Sequence, residues 1–162
     1  MFATKMKRVL YLCTESDRAK AQKLQDCLGG KLRNTAIVRN VAAILADEQD
    51  FGWELRSSDC VVLVASPLAS SLIKDKEQEI EDDCITFDGK VIHDEFTRNK
   101  ELVNKLVTVF FSERAENDWI PDGLNEKRIF DLQNQKIHRG NPVLDHLEYT
   151  IRRVLGETMV DW

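Results

Sequence analysis

Apolar residues gather in short unbroken runs, separated by stretches in which they recur every three or four positions. Arg8–Cys13 (RVLYLC) is the first run, as expected for a strand covered on both faces. Thr14, Glu15, Ser16 and Asp17 end it and offer an N-cap for a helix from about Asp17 to Leu28. Ala21, Leu24, Cys27 and Leu28 fall on one face of that helix, and Gly29-Gly30 is expected to stop it. Thr35–Val38 predicts a short second strand. Val41–Ala46 stays open between a loop and an early helix. Phe51–Ser58 reads as a helix with Phe51 and Leu55 inward. Cys60–Ala65 (CVVLVA) is the strongest strand; its uniform apolarity places it at the centre of a parallel sheet. Ser66-Pro67 ends it, a helical turn near Leu68–Ile73 follows, and an acidic segment occupies Lys74–Asp88. Val91–Lys100 predicts a helix with Val91, Ile92 and Phe96 as its apolar stripe. Leu106–Phe111 (LVTVFF) is the next strand. A loop carrying Trp119, Ile120 and Pro121 leads to an edge strand at Arg128–Leu132 (RIFDL). Asn141 and Pro142 cap and open the last helix, where Val143, Leu147, Ile151 and Val154 line one face beside Leu144 and Leu155.

Five strands interleaved with helices predict an α/β fold. It is a doubly wound sandwich of flavodoxin-like outline, with a central five-stranded parallel sheet and helices on both faces. Such a sheet presents ligands or partners at the carboxyl ends of its strands. Those ends carry Thr14–Asp17, Asn40–Asp47 and Ser66–Ser71.

Composition narrows the classes. The 162 residues, with only seven Gly and three Pro, suit one domain over residues 1–162 with a core of about 8–155. Apolar residues at 43% against 31% charged argue against general disorder. The net charge of -5 and the lack of a Lys/Arg cluster point away from nucleic acid. The longest apolar run, Val61–Ala65, is far short of the ~18 residues a spanning helix needs, and the N-terminal apolar stretch is too short for a signal peptide. No membrane segment is expected, and cytoplasmic placement follows by default. Cys13, Cys27, Cys60 and Cys84 form no C-x-x-C pair and are expected as free thiols, with Cys13 and Cys60 buried. His93, His138 and His146 share no metal-ligand spacing with them, so no metal is expected.

Candidate chemistry is sparse. The first strand-to-helix turn, TESD, puts anionic and bulky groups where a phosphate would need bare glycine backbone. A phosphoacceptor relay lacks its aspartate at the end of the third strand, where Ser66 stands. Ser66, Ser70 and Ser71 have no nucleophile elbow. Within Lys74–Asp88 the seven acids Asp75, Glu77, Glu79, Glu81, Asp82, Asp83 and Asp88 describe a solvated, partly disordered loop, an electrostatic docking surface or, as a third option in which nothing fixes the oxygens in a cage, a metal site. Glu95, with His93, Asp94 and Arg98 nearby, is either a surface charge or a carboxylate able to hold a ribose.

The order RVLYLCTESD, SSDCVVLVASP, VIHDEF and LVTVFFSERAENDWIPDGLNEKRIFDL resembles a SEFIR domain. These are the TIR-like modules of interleukin-17 receptors and their cytosolic adaptor. The long acidic insertion after CVVLVASP and the Trp-Ile-Pro loop before RIFDL favour SEFIR over an ordinary TIR domain. The latter would show an Arg-Asp-x-x-Pro-Gly loop where this chain has Asn40–Asp47 (NVAAILAD). The resemblance implies a homotypic interaction module without cofactor. Its partners would be other SEFIR or TIR-like domains, and through them TRAF and ubiquitin-ligase machinery toward NF-κB. The expected contact surface is Lys74, Lys76, Glu77, Glu79, Asp82, Asp83, Arg98 and Lys100. A second implication comes from TIR domains that cleave NAD with one glutamate in a segment like VIHDEF. Glu95 is the matching position, and NAD would then be the substrate.

Overall fold

The computed structural model describes residues 6–40, 51–81 and 84–156. The stretch Val41–Ala46, most of the Asn40–Asp47 loop, and Asp82 and Asp83 lie outside the described residues. Strand β1 (Lys7–Leu12) runs through a single 3-10 turn at Glu15–Asp17 into helix α1 (Arg18–Lys31). Then come β2 (Ala36–Asn40), α2 (Phe51–Ser57), β3 (Cys60–Ala65), α3 (Pro67–Lys74), β4 (Gln78–Glu81) and β5 (Cys84–Asp88). The chain continues through α4 (Gly89–Arg98), α5 (Lys100–Val103), β6 (Leu106–Phe110), β7 (Ile129–Asp131) and α6 (Pro142–Val154).

Five strands form one sheet in the order β2-β1-β3-β6-β7, every pairing parallel, with β3 at the centre. This is the α/β architecture and strand order of a flavodoxin-like fold. The two-residue period of the strands builds two cores. Val9, Tyr11, Cys60, Val62 and Val64 face α1 and α6, packing on Leu24, Leu28, Leu144, Leu147 and Ile151. Leu10, Leu12, Val61 and Leu63 face the other way onto Leu55 of α2, Ile73 of α3, and Ile92 and Phe96 of α4. All six residues of β3 are buried, which is why its sequence shows no alternation.

Three local expectations are corrected. Helix α1 does not stop at Gly29-Gly30 but continues to Lys31. The reason is tertiary: Lys31 Nζ bonds Asp145 Oδ1 at 2.5 Å and Glu148 Oε1 at 3.4 Å, and Arg152 Nη2 donates to the Lys31 carbonyl at 2.9 Å. Helix α6 thus fixes the turn that the glycines would have frayed. The buried face of α6 itself is Leu144, Leu147, Thr150 and Ile151, with Val143 and Val154 only partly covered at its margins. Cys60 is buried as expected, but Cys13, one residue past the end of β1, is half-buried at the rim of the sheet. Cys13, Cys27 and Cys60 are free thiols.

Candidate functional site

The described residues of the acidic segment form a helix end and two paired strands. Helix α3 is opened by Ser66, whose hydroxyl accepts from the Ala69 N–H at 3.0 Å, with Pro67 in its first turn. It is closed by a paired cap: the Glu77 N–H bonds the Leu72 carbonyl at 2.8 Å and the Lys76 N–H bonds that of Ile73 at 3.2 Å. Lys76 takes the left-handed conformation, φ 56°, that this cap requires. The chain turned in this way enters the antiparallel hairpin β4–β5, with Gln78 opposite Asp88, Glu79 opposite Phe87, and a bulge between Glu79 and Ile80. The strand residues Ile85, Thr86 and Phe87 are β-formers, and Phe87 is fully buried in the second core.

Two further contacts fix the hairpin to the body. Glu79 Oε1 accepts from the Glu15 N–H at 2.9 Å and from the Thr86 hydroxyl at 3.3 Å. The hairpin therefore sits over the carboxyl end of β1, beside Thr14–Asp17, where the sheet rule placed a functional surface. Asp88, counted among the acids of the segment, is no docking charge. It is buried, its Oδ1 accepting from the Val91 N–H at 3.0 Å to cap α4 and its Oδ2 from the Gln78 amide at 3.1 Å. Beneath the hairpin lies a cavity of about 80 Å³. Among its walls is Tyr11, fully buried, whose hydroxyl has no hydrogen-bond partner among the described residues. Burial, and then Asp17 and the carboxylates of Glu79 and Glu15, push the adjoining Cys13 thiol up to about 11, with Arg18 opposing them. It is a weak nucleophile there.

The expected contact residues divide into two groups. Lys74, Lys76 and Glu77 are exposed at the root of the hairpin, with Glu79 half-buried above them. Lys74 Nζ is engaged by the Asn117 carbonyl. Arg98 is exposed at the far end of α4, roughly 14 Å away along the helix axis at 1.5 Å per residue, and Lys100 is exposed at the start of α5 just beyond it. The single charged surface expected from sequence is therefore two patches joined by one helix. What sequence reasoning missed at the first patch is Ile80, which is 63% exposed on β4 between acidic neighbours. Its cue was an isolated isoleucine in a polar run.

Glu95 lies midway along α4, facing α2. Its carboxylate takes the Arg56 guanidinium at 2.5 Å and is 18% exposed. It does not line the cavity under the hairpin. The carboxylate is thus already paired with a cation. Nearby, the His93 ring beside Asp94 holds that carboxyl below its ordinary range. Among the described residues no three His, Cys, Asp or Glu side chains come together as a metal site. No helix among them is long and apolar enough to cross a membrane. The chain matches no family model, no curated protein and no solved structure.

Proposed function

We propose that this chain is a cytoplasmic signalling module that associates with other SEFIR or TIR-like domains through its hairpin. By the resemblance, such contacts would bring TRAF and ubiquitin-ligase machinery to a receptor-proximal assembly of the interleukin-17 type. The observation that carries the reading is the exposure of Ile80 on a hairpin held by Glu79, Phe87 and the α3 cap, with Glu77, Lys76 and Lys74 around its root. A rigid, partly apolar projection framed by both signs of charge loses little freedom on binding, which is what a contact surface needs. The charges would set partner choice and encounter rate, and Ile80 would supply desolvated contact.

The test is association measured by sedimentation equilibrium, for the domain alone and mixed with a second SEFIR-type domain. Glu77→Lys with Ile80→Asp should weaken association and reduce its salt dependence while leaving the fold intact. Unchanged association in that variant removes the hairpin as the interface. Glu95→Ala should alter association little, because it disturbs the Arg56 pair and not the hairpin. Incubation with NAD at high protein concentration decides the enzymatic alternative. Nicotinamide release by the wild type that Glu95→Ala abolishes overturns the adaptor reading.

A further inference from the structure

At the opposite end of the sheet from the hairpin is a cleft of about 700 Å³, bounded by the amino ends of β6 and β7 and the second half of α6. Its volume falls in the range of small-molecule sites. Lys127, Arg128 and Arg153 line it, and no Asp or Glu does. In a chain of net charge -5 that is a local reversal of sign. Among the described residues none of the three cations is in an ion pair; Glu126 is committed to Arg114, and Glu148 to Lys31 and Arg152.

The two arginines are held in place. Arg128 Nη1 donates to the Asn104 carbonyl at 2.7 Å, which fixes one edge of its guanidinium. The Arg153 guanidinium lies 5.8 Å from the Tyr149 ring centroid, and its Nη1 donates to the Tyr149 hydroxyl at 3.2 Å. Planar guanidinium forks held this way suit phosphate oxygens, and their remaining N–H donors have no acceptor among the described residues. Asn104, Asn125 and Thr150 add polar groups, while Leu124, Val103 and the half-exposed Tyr149 ring give apolar surface for an organic body. We infer that this cleft binds a phosphate-bearing organic ligand, with Arg128, Arg153 and Lys127 taking the phosphate. The inference is independent of the proposed association, which uses the other end of the sheet.

A second basic hollow, lined by Lys20, Lys23 and Lys136, serves as the internal comparison. Its cations are exposed lysines, point charges on flexible stems, and nothing holds their heads. Attraction by charge alone would fill both; a shaped site fills one. The probe is pyrophosphate, titrated at physiological salt into the full chain and followed by amide chemical shifts. Saturable shifts should appear at Asn104, Asn125, Arg128 and Tyr149, and Lys20 and Lys23 should move little. Arg153→Gln, at an exposed position, should weaken binding about tenfold, the order expected for lost charge-assisted bonds. Arg128→Gln should do the same, and Lys23→Gln should change nothing. Shifts of equal size in both hollows, failure to saturate, or affinity unmoved by both arginine variants overturns the inference.

The phosphate could be free or borne by a lipid headgroup, and a second arm separates these. Co-sedimentation with phosphatidylcholine vesicles containing phosphatidic acid, lost in Arg153→Gln, assigns the headgroup. Pyrophosphate binding without vesicle binding assigns a soluble phosphate ester. Absence of both ends the proposal, whatever sedimentation shows about self-association.

Discussion

Gly89 and Gly29 should respond to the same substitution with opposite signs. A Cβ on Gly89 would lie inside contact distance of the Leu72 carbonyl and 2.5 Å from the Glu77 carbonyl oxygen. Both obstacles are backbone, so no side chain can swing aside. Both also accept hydrogen bonds that build the joint: Leu72 O from Glu77 N at 2.8 Å, Glu77 O from Gly89 N at 2.9 Å. Overpacking of this kind costs about 1–3 kcal/mol, and weakening two backbone bonds adds ~1 kcal/mol each at most. Against this stands a helix-propensity gain of up to ~1 kcal/mol. Gly89→Ala should therefore destabilise by about 2–3 kcal/mol, lowering Tm by roughly 4–12 °C at this chain length. Gly29, inside α1, has no atom within 4 Å of its would-be Cβ. Gly29→Ala should stabilise by up to ~1 kcal/mol. Urea unfolding by tryptophan fluorescence and circular dichroism measures both. The argument fails if Gly89→Ala matches or exceeds wild-type stability, or if Gly29→Ala is the more damaging of the two.

Lys76→Gly should stabilise the chain by roughly 0.5–1 kcal/mol in the same assay, because only the left-handed cap conformation is at issue there; a loss of stability refutes the cap. Arg152→Ala should cost ~2 kcal/mol, since it strips the Lys31 carbonyl and the Thr35 hydroxyl of a part-buried, charged donor at once. The amides at the end of α1 should then exchange faster with solvent. Burial pushes the Cys60 thiol from an ordinary value near 9 up to about 12. The unfolded chain ionises this thiol first, so its contribution is intact below pH 9 and is lost as pH rises toward 12. Stability curves for wild type and Cys60→Ala should therefore converge across that window, and parallel curves would show the thiol to be uncoupled from folding.

Much of the fold was legible because the sheet is covered on both faces. A strand such as Cys60–Ala65, buried at every position, has to be apolar throughout, and its ends are read to the residue. Element ends that depend on distant partners were not legible. The run past Gly29-Gly30 exists because Lys31 and Arg152 meet across 121 positions of sequence. The hairpin was hidden for another reason. Its outer strand, Gln78–Glu81, is polar but for Ile80, which is exposed, so no hydrophobic period marks it; among the described side chains of the hairpin Phe87 is the one buried apolar residue, and one residue makes no pattern. The expected contact residues fall in two places: Lys76, Glu77 and Glu79 lie at the hairpin, and Arg98 and Lys100 lie beyond helix α4, because adjacency in sequence says nothing about a helix intervening. The cationic cleft was invisible for the converse reason: Lys127 and Arg128 come from one turn and Arg153 from the last helix, and no local run of charge announces them.

The hairpin also has a consequence for how this scaffold can diversify. Its root is immovable: Phe87 fills the second core, Gly89 admits no side chain, and Asp88 caps the following helix. These duties all fall at the root. Lengthening a flexible loop costs only about 0.6 kcal/mol per doubling. Descendants of this chain, or a designer, can therefore rewrite the end of the hairpin at will, in length as well as in sequence, while the sheet beneath it goes on folding from the same instructions. A split-reporter fragment or an affinity tag inserted between β4 and β5 should be carried as a passenger. The same insertion two residues past β5 should be rejected.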